Sequence, residues 1–310
     1  MHASVHAFLN GIIDYAGMFP PAKLPLAEAL RRYSDYKNAS PYGWMLGRFV
    51  CPTNRLPELL PLAKANENGA RLQMTALGPQ GATVADFFLQ LETSIEAILE
   101  FRRDWGAEKV VDTIEIPLPH QHGIAAFLGK VEGLLEQAEL RGFLEVPMSA
   151  TWQKDVAEFA TRIPPGHSLG LKLRCGGVTA AAFPTNEQVA FFIARCRDLA
   201  IPWKATAGLH HPGRHWDEAM QVWHHGFLNV FGAGLLATAN SLTDPELIEI
   251  LADRDGRYFR FESDRFAWKD WTCTTAQILE FRQRGPTSFG SCSFEEPCAD
   301  LLAMGLIEVA

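Results

Sequence analysis

The feature that most constrains this chain is its punctuation: eight short apolar runs, each closed by Gly or Pro, with helix-like segments between them. The runs are "GIIDYAGMFPP" (11–21), "YGWMLGRFVCP" (42–52), "ARLQMTALGP" (70–79), "KVVDTIEIPLP" (109–119), "RGFLEVPM" (141–148), "SLGLKLRCGG" (168–177), "IPWKATAGLHHP" (201–212) and "FLNVFGAG" (227–234). Their spacing of roughly 20 to 40 residues suits strand–helix units, because parallel strands need a crossover long enough to hold a helix. Between them "TVADFFLQLETSIEAILEFRRDWG" repeats apolar residues at three- and four-residue intervals and stops at Gly106, and "IAAFLGKVEGLLEQAELRG" behaves alike. "PTNEQVAFFIARCRDLA" starts from a Thr185 or Asn186 cap with Glu187 in its first turn.

Eight strands alternating with helices predict an α/β fold, a (β/α)8 TIM barrel over residues 1–254, with 255–310 left as a C-terminal appendage packed on it. A doubly wound open sheet is the competing architecture. The appendage contains "FRFESDRFAWKDW" and a capping box, Ser293 with Glu296, before a short amphipathic helix, and it is a candidate surface for forming a homo-oligomer. A chain of 310 residues is long enough for one barrel-sized core.

The charge balance narrows the partners. A formal net charge of -8 provides no basic field for a polyanion, so nucleic acid is not expected as a partner. No run approaches the ~20 apolar residues of a membrane span, and the N-terminal apolar stretch lacks a basic leader and is interrupted by Asp14. The six cysteines are scattered without a C-x-x-C pair, which reads as reduced thiols in a cytoplasmic protein.

Strand side chains alternate between faces, so each run divides into an inward and an outward set. In "LGLKLRCGG" the leucines Leu169, Leu171 and Leu173 share one face, which sends Gly170, Lys172 and Arg174 into the barrel. The same rule turns Lys204 and Thr206 inward on the seventh run, Glu115 with Thr113 on the fourth and Glu145 on the fifth. It places Asp14, Arg48 and Asn229 inward on the first, second and eighth. Barrel interiors are ordinarily filled by branched apolar side chains, and an unpaired buried charge is costly, so polar groups at the C-terminal strand ends point to an active site. Two neighbouring ammonium groups would lower the pKa of one, leaving a neutral amine able to attack a carbonyl, and the pattern, which sets Lys172 and Lys204 one strand apart at equal depth, does not choose between them.

The sixth and seventh runs resemble the signatures of class I aldolases of the deoxyribose-phosphate aldolase type, roughly "hydrophobic-K-T-S-T-G" and "K-x-x-G-G". The resemblance spans 168–234; Leu173, Arg174 and Cys175 replace the small hydroxyl residues, and Ala207 with Gly208 replaces the glycine pair. It implies that Lys172 forms a Schiff base with the donor, that Lys204 lowers its pKa, and that Glu115, where the family has Asp, carries protons. The expected reaction is carbon–carbon bond cleavage or formation on a small aldehyde or ketone, phosphorylated or not, with no cofactor and no metal. Glu145 would position Lys204 or the substrate, and Arg174 would hold an anionic group in bidentate fashion. Gly176, Gly177, Gly208, Gly232 and Gly234 close the last three runs, where backbone amides of barrels bind phosphate.

Two other functions compete. "PHQHG" and "GLHHPGRHW" cluster His120, His122, His210, His211 and His215, which with Glu115 or Glu145 would hold a divalent metal for a hydrolase or isomerase. Without a metal, His210 or His211 would serve as a general acid or base. The third reading is a barrel without chemistry that binds partners through its aromatic tail.

Overall fold

Seven of the eight apolar runs form parallel strands: β1 (Ile13–Tyr15), β2 (Leu46–Pro52), β3 (Met74–Leu77), β4 (Val111–Pro117), β5 (Arg141–Glu145), β6 (Leu169–Arg174) and β7 (Trp203–Thr206). The computed structural model describes residues 1–65, 72–107, 110–119, 124–163, 166 and 168–308. Between these strands lie α2 (Leu26–Ala39), α3 (Leu56–Ala65), α4 (Val84–Trp105), α5 (Leu128–Gln137), α6 (Trp152–Arg162) and α7 (Asn186–Asp198), after a short N-terminal α1 (Ala3–Leu9). The strands pair in sequence order and close into an eight-stranded barrel, as the alternation predicts. Local signals end the helices where expected. Thr185 caps α7 in a capping box with Gln188, and α4 stops at Gly106, whose φ of 82° is the left-handed turn glycine accepts without penalty.

The eighth strand is not where the sequence pattern put it. Past β7 the chain makes a hairpin, β8 (His215–Asp217) and β9 (Val222–His224), then α8 (Phe227–Asn240) and α9 (Asp244–Ala252). A three-stranded sheet, β10 (Phe259–Phe261), β11 (Arg265–Trp268) and β12 (Trp271–Thr274), leads through α10 (Thr275–Arg284) to β13 (Pro286–Ser291), which closes the barrel between β7 and β1; α11 (Glu295–Ala303) ends the fold. "FLNVFGAG" thus opens a helix that is apolar on nearly every side and buried from Phe227 to Ala237. Such a helix has no amphipathic period, and a short apolar run looks alike in a buried strand and a buried helix. Gly232 and Gly234 face Phe266 and Trp203, where a Cβ would stand 2.9 and 2.7 Å from ring carbons. They permit close helix packing, and Gly234 stands against the N-terminal starts of β7 and β13, away from the C-terminal strand ends.

It follows that the barrel does not end at residue 254. Residues 286–291 are one of its staves, and β10, β11 and α10 are tied to the N-terminal segment. Phe8 of α1 packs on Phe261 and Phe266, and the Arg282 guanidinium donates to the carbonyls of Phe8, Asn10, Pro286 and Thr287. Outward strand residues Leu169, Leu171, Leu173, Trp203 and Phe289 are buried in the layer between barrel and helices. No helix among the described residues is long and apolar enough to cross a membrane.

Candidate active site

The inward side chains near the C-terminal ends of the strands form a line of alternating charge. Asp14 Oδ2 lies 2.6 Å from Lys204 Nζ, which is 2.7 Å from Glu115 Oε1. Glu115 Oε2 is 2.6 Å from Lys172 Nζ, which is 2.9 Å from Glu145 Oε2, and Glu145 Oε1 is 2.6 Å from Arg174 Nε. Register produces this line: Glu145, Lys172 and Lys204 are cross-strand neighbours on β5, β6 and β7, and Arg174 and Thr206 form the next level towards solvent. Asp14 is fixed from its other side by the Ser288 hydroxyl at 2.7 Å and the Arg48 amide at 2.7 Å. Three anions alternate with three cations, so no buried charge is left uncompensated, which is the condition under which such groups are tolerated in a core.

The arrangement corrects the expectation that one lysine depresses the other. Burial pushes both ammonium groups towards neutrality, but each touches two carboxylates, and the pKa of each lies above the ordinary lysine value. Burial likewise works to raise the Glu115 pKa, but Lys172 and Lys204 outweigh it and hold the carboxyl down to about 2; Glu145 is lowered by Lys172 and Arg174 in the same way. The two carboxylates that touch Lys172 favour its ammonium form.

A cavity of about 730 Å³ opens over this line at the barrel mouth. Lys172, Glu115, Glu145, Arg174, Thr206, Gly177 and Gly208 line it; Lys204 and Asp14 do not. Access to the cavity therefore separates two lysines that the sequence pattern leaves equivalent. Phe19, Val50, Leu77 and Phe183 supply apolar wall, so the site combines a few convergent polar groups with apolar surface.

Other predicted residues are elsewhere. Arg48 sits near the start of β2 and pairs with Asp112 through both Nε and Nη2, at 3.0 and 2.8 Å, at the opposite end of the barrel. Asn229 is buried in α8, donating to the carbonyls of Ile250 and Asp253 and accepting from the Arg214 amide, all at 2.9 Å. It ties α8, α9 and the segment that leads into the hairpin together. Gly232 and Gly234 go with α8, as described.

Of the histidines, His210, His211, His215 and His224 line the cavity. His211 Nδ1 meets Asp300 at 2.6 Å, and its ring meets that of His215 edge-on at 4.4 Å. His120 and His122 lie outside the described residues. Among the described residues no group of three or more His, Cys, Asp or Glu side chains is arranged to hold a metal ion. Cys292 and Glu296, which also line the cavity, were missed because the strand before them was missed. "PTSFGS" has Phe289 as its single large apolar side chain among small residues, so a search for apolar runs passes over it.

No protein-family model matches the chain. No curated protein matches it either. Solved structures that are similar include a protein described as a member of the dihydrodipicolinate synthase family from Coccidioides immitis, at 14% identity and a TM-score of 0.39, covering 65% of this chain and 62% of that one. RipC from Yersinia pestis matches at 15% identity and a TM-score of 0.32, over 67% of this chain and 90% of the other. A protein described as a deoxyribose-phosphate aldolase from Toxoplasma gondii ME49 matches at 11% identity and a TM-score of 0.35, over 80% and 72%. This chain spans less than two thirds of the length of the Coccidioides protein. The barrel assignment rests on the strand order itself.

Proposed function

We propose that this protein is a carbon–carbon lyase in which Lys172 forms a Schiff base with a small aldehyde or ketone. The observation that carries the reading is a buried lysine whose amine stands between two carboxylates on the floor of a cavity large enough for a small metabolite. An ammonium ion must lose its proton before it can attack. Glu145 is the acceptor the geometry favours, being the more exposed of the two carboxylates and linked outward to Arg174, while Glu115 stays ionised between the lysines. Relative to the sequence expectation, Glu145 takes the proton-carrying role and Glu115 the electrostatic one.

The amine adds to the carbonyl carbon, and the carbinolamine hydroxyl takes the proton back from Glu145 and departs as water. The resulting iminium carries the same single positive charge in the same place as the ammonium, so the line of alternating charge keeps its balance through the step. Glu145, again a carboxylate, removes the proton of a hydroxyl β to the iminium carbon. The carbon–carbon bond breaks, its electrons pass into the iminium to form an enamine, and an aldehyde leaves. Protonation of the enamine carbon by Glu145 and hydrolysis by water restore Lys172. Arg174 supports a substrate bearing a carboxylate or phosphate, since its fork lies at the cavity wall. No cofactor is required.

One observation favours a second reading: the paired carboxylates hold Lys172 protonated, which suits an acid that donates to an enolate oxygen without covalent attachment. Borohydride separates the two. The protein is incubated with acetaldehyde, acetone, pyruvate or glyceraldehyde 3-phosphate, reduced and mapped by mass spectrometry. A reduced adduct on Lys172, absent from Lys172→Met, supports the Schiff base. No adduct with any donor, together with Lys172-dependent exchange of deuterium into a donor's α-carbon, supports the acid role and removes the covalent one.

A further inference from the structure

A second group of reactive side chains faces the same cavity from another side. Cys292 Sγ lies 3.8 Å from His210 Nε2, and His210 Nδ1 lies 2.9 Å from Glu296 Oε2. All three residues line the cavity, and Cys292 is the one cysteine of the six to do so. Cys292 follows β13 directly, His210 follows its paired neighbour β7, and Glu296 stands in the first turn of α11, its amide bonded to the Ser293 hydroxyl. In the capping box expected here, Glu296 would turn back to the helix start; instead its carboxylate reaches across to the imidazole.

We infer that Cys292, His210 and Glu296 form a second nucleophilic site, which takes the carbonyl carbon of a small aldehyde as a thiohemiacetal. A nucleophile bonded to a base that is oriented by a carboxylate is the general form of an activated thiol. The imidazole Nε2 is the base within reach of the sulfur, and Glu296 on Nδ1 orients the ring to take the thiol proton in the proposed step. Burial works against a charged His210, but the bonds to Cys292 and Glu296 outweigh it and hold its pKa up at about 9. Tyr15, whose hydroxyl burial keeps neutral, also feels the charge of Cys292 and of Glu295. In the proposed step the sulfur bonds to the aldehyde carbon, the C=O π electrons move to oxygen, and that oxygen takes the His210 proton. No oxidant, reductant or leaving group is needed, and the step is reversible. The remaining cysteines are poor competitors, since burial raises their thiols, Cys51, Cys273 and Cys298 to about 12. The inference does not depend on Lys172 being a nucleophile.

The test is alkylation of the native protein by iodoacetamide at pH 7, followed residue by residue by mass spectrometry. Cys292 is expected to react first, and His210→Gln to slow it by about tenfold or more. Glu296→Gln, a partly exposed change that spares the barrel interior, is expected to slow it in the same direction by less. Propionaldehyde should protect Cys292 equally in the wild type and in Lys172→Met, which separates this site from the Schiff base. Circular dichroism establishes that each variant is folded; if His210→Gln is not, the Glu296→Gln rate decides. Alkylation no faster at Cys292 than at the buried cysteines, or unchanged in the folded variants, overturns the activated thiol. Fast alkylation that propionaldehyde does not slow overturns the aldehyde site.

Discussion

Lys172 and Lys204 are direct partners across β6 and β7, yet their positive charges do not oppose each other, because Glu115 sets one carboxylate oxygen within 2.7 Å of each. The bridging anion turns a repulsive pair into the centre of a neutral network. Of the two, Lys172 alone lines the cavity.

Replacing Glu115 by Gln would leave two buried ammonium groups with one carboxylate partner apiece and no anion between them. Loss of one member of a buried ionic network costs about 3–5 kcal/mol, so the variant should unfold at clearly lower urea. A stability loss under about 1 kcal/mol would show that the lysines had already lost their charge or their burial.

Arg174 makes a different case, because its side chain is 41% exposed. Arg174→Gln should change stability by no more than about 1 kcal/mol. Its effect should fall on substrate choice: in borohydride trapping, pyruvate and glyceraldehyde 3-phosphate should lose about tenfold of their yield relative to acetone, the scale of one charge-assisted contact. Equal losses for charged and neutral donors would remove Arg174 from anion binding.

Stability should peak near pH 6.5. Burial drives the His225 pKa down to about 4, so its contribution is present above 6.5 and is lost as pH falls towards 4. Glu115, held at about 2 against an ordinary 4.5, adds a second loss as pH falls from 4.5 to 2. His210 acts in the opposite sense: raised to about 9, it stabilises fully below 6.5, and its contribution disappears as pH rises through 9. Urea titrations from pH 4 to 10 check the curve, and His210→Gln should flatten its alkaline side.

A chain ended after residue 254 should not fold cooperatively. It lacks β13, which leaves the edges of β1 and β7 unpaired and opens the core that Phe289 fills. Broad, non-sigmoidal unfolding with exposed apolar surface is the expected result; a sharp transition like that of the full chain would mean that residues 255–310 are dispensable.

Seven barrel strands and the inward turn of Lys172, Lys204, Glu115, Glu145 and Arg174 were legible in the chain, because alternation and glycine or proline punctuation are local properties of a few consecutive residues. Tertiary structure alone decided the eighth strand. "PTSFGS" carries one large apolar side chain and becomes a stave because β7 and β1 leave a gap of its width, while "FLNVFGAG" becomes a helix because it is enclosed on all sides. It also decided the charges. Alternation can state that two lysines face inward, but whether an anion reaches between them depends on Glu115, 57 positions before Lys172 and on a strand two places around the barrel. The pairing of Cys292 with His210 is of the same kind: their distance is set by barrel closure, and a linear chain does not contain it.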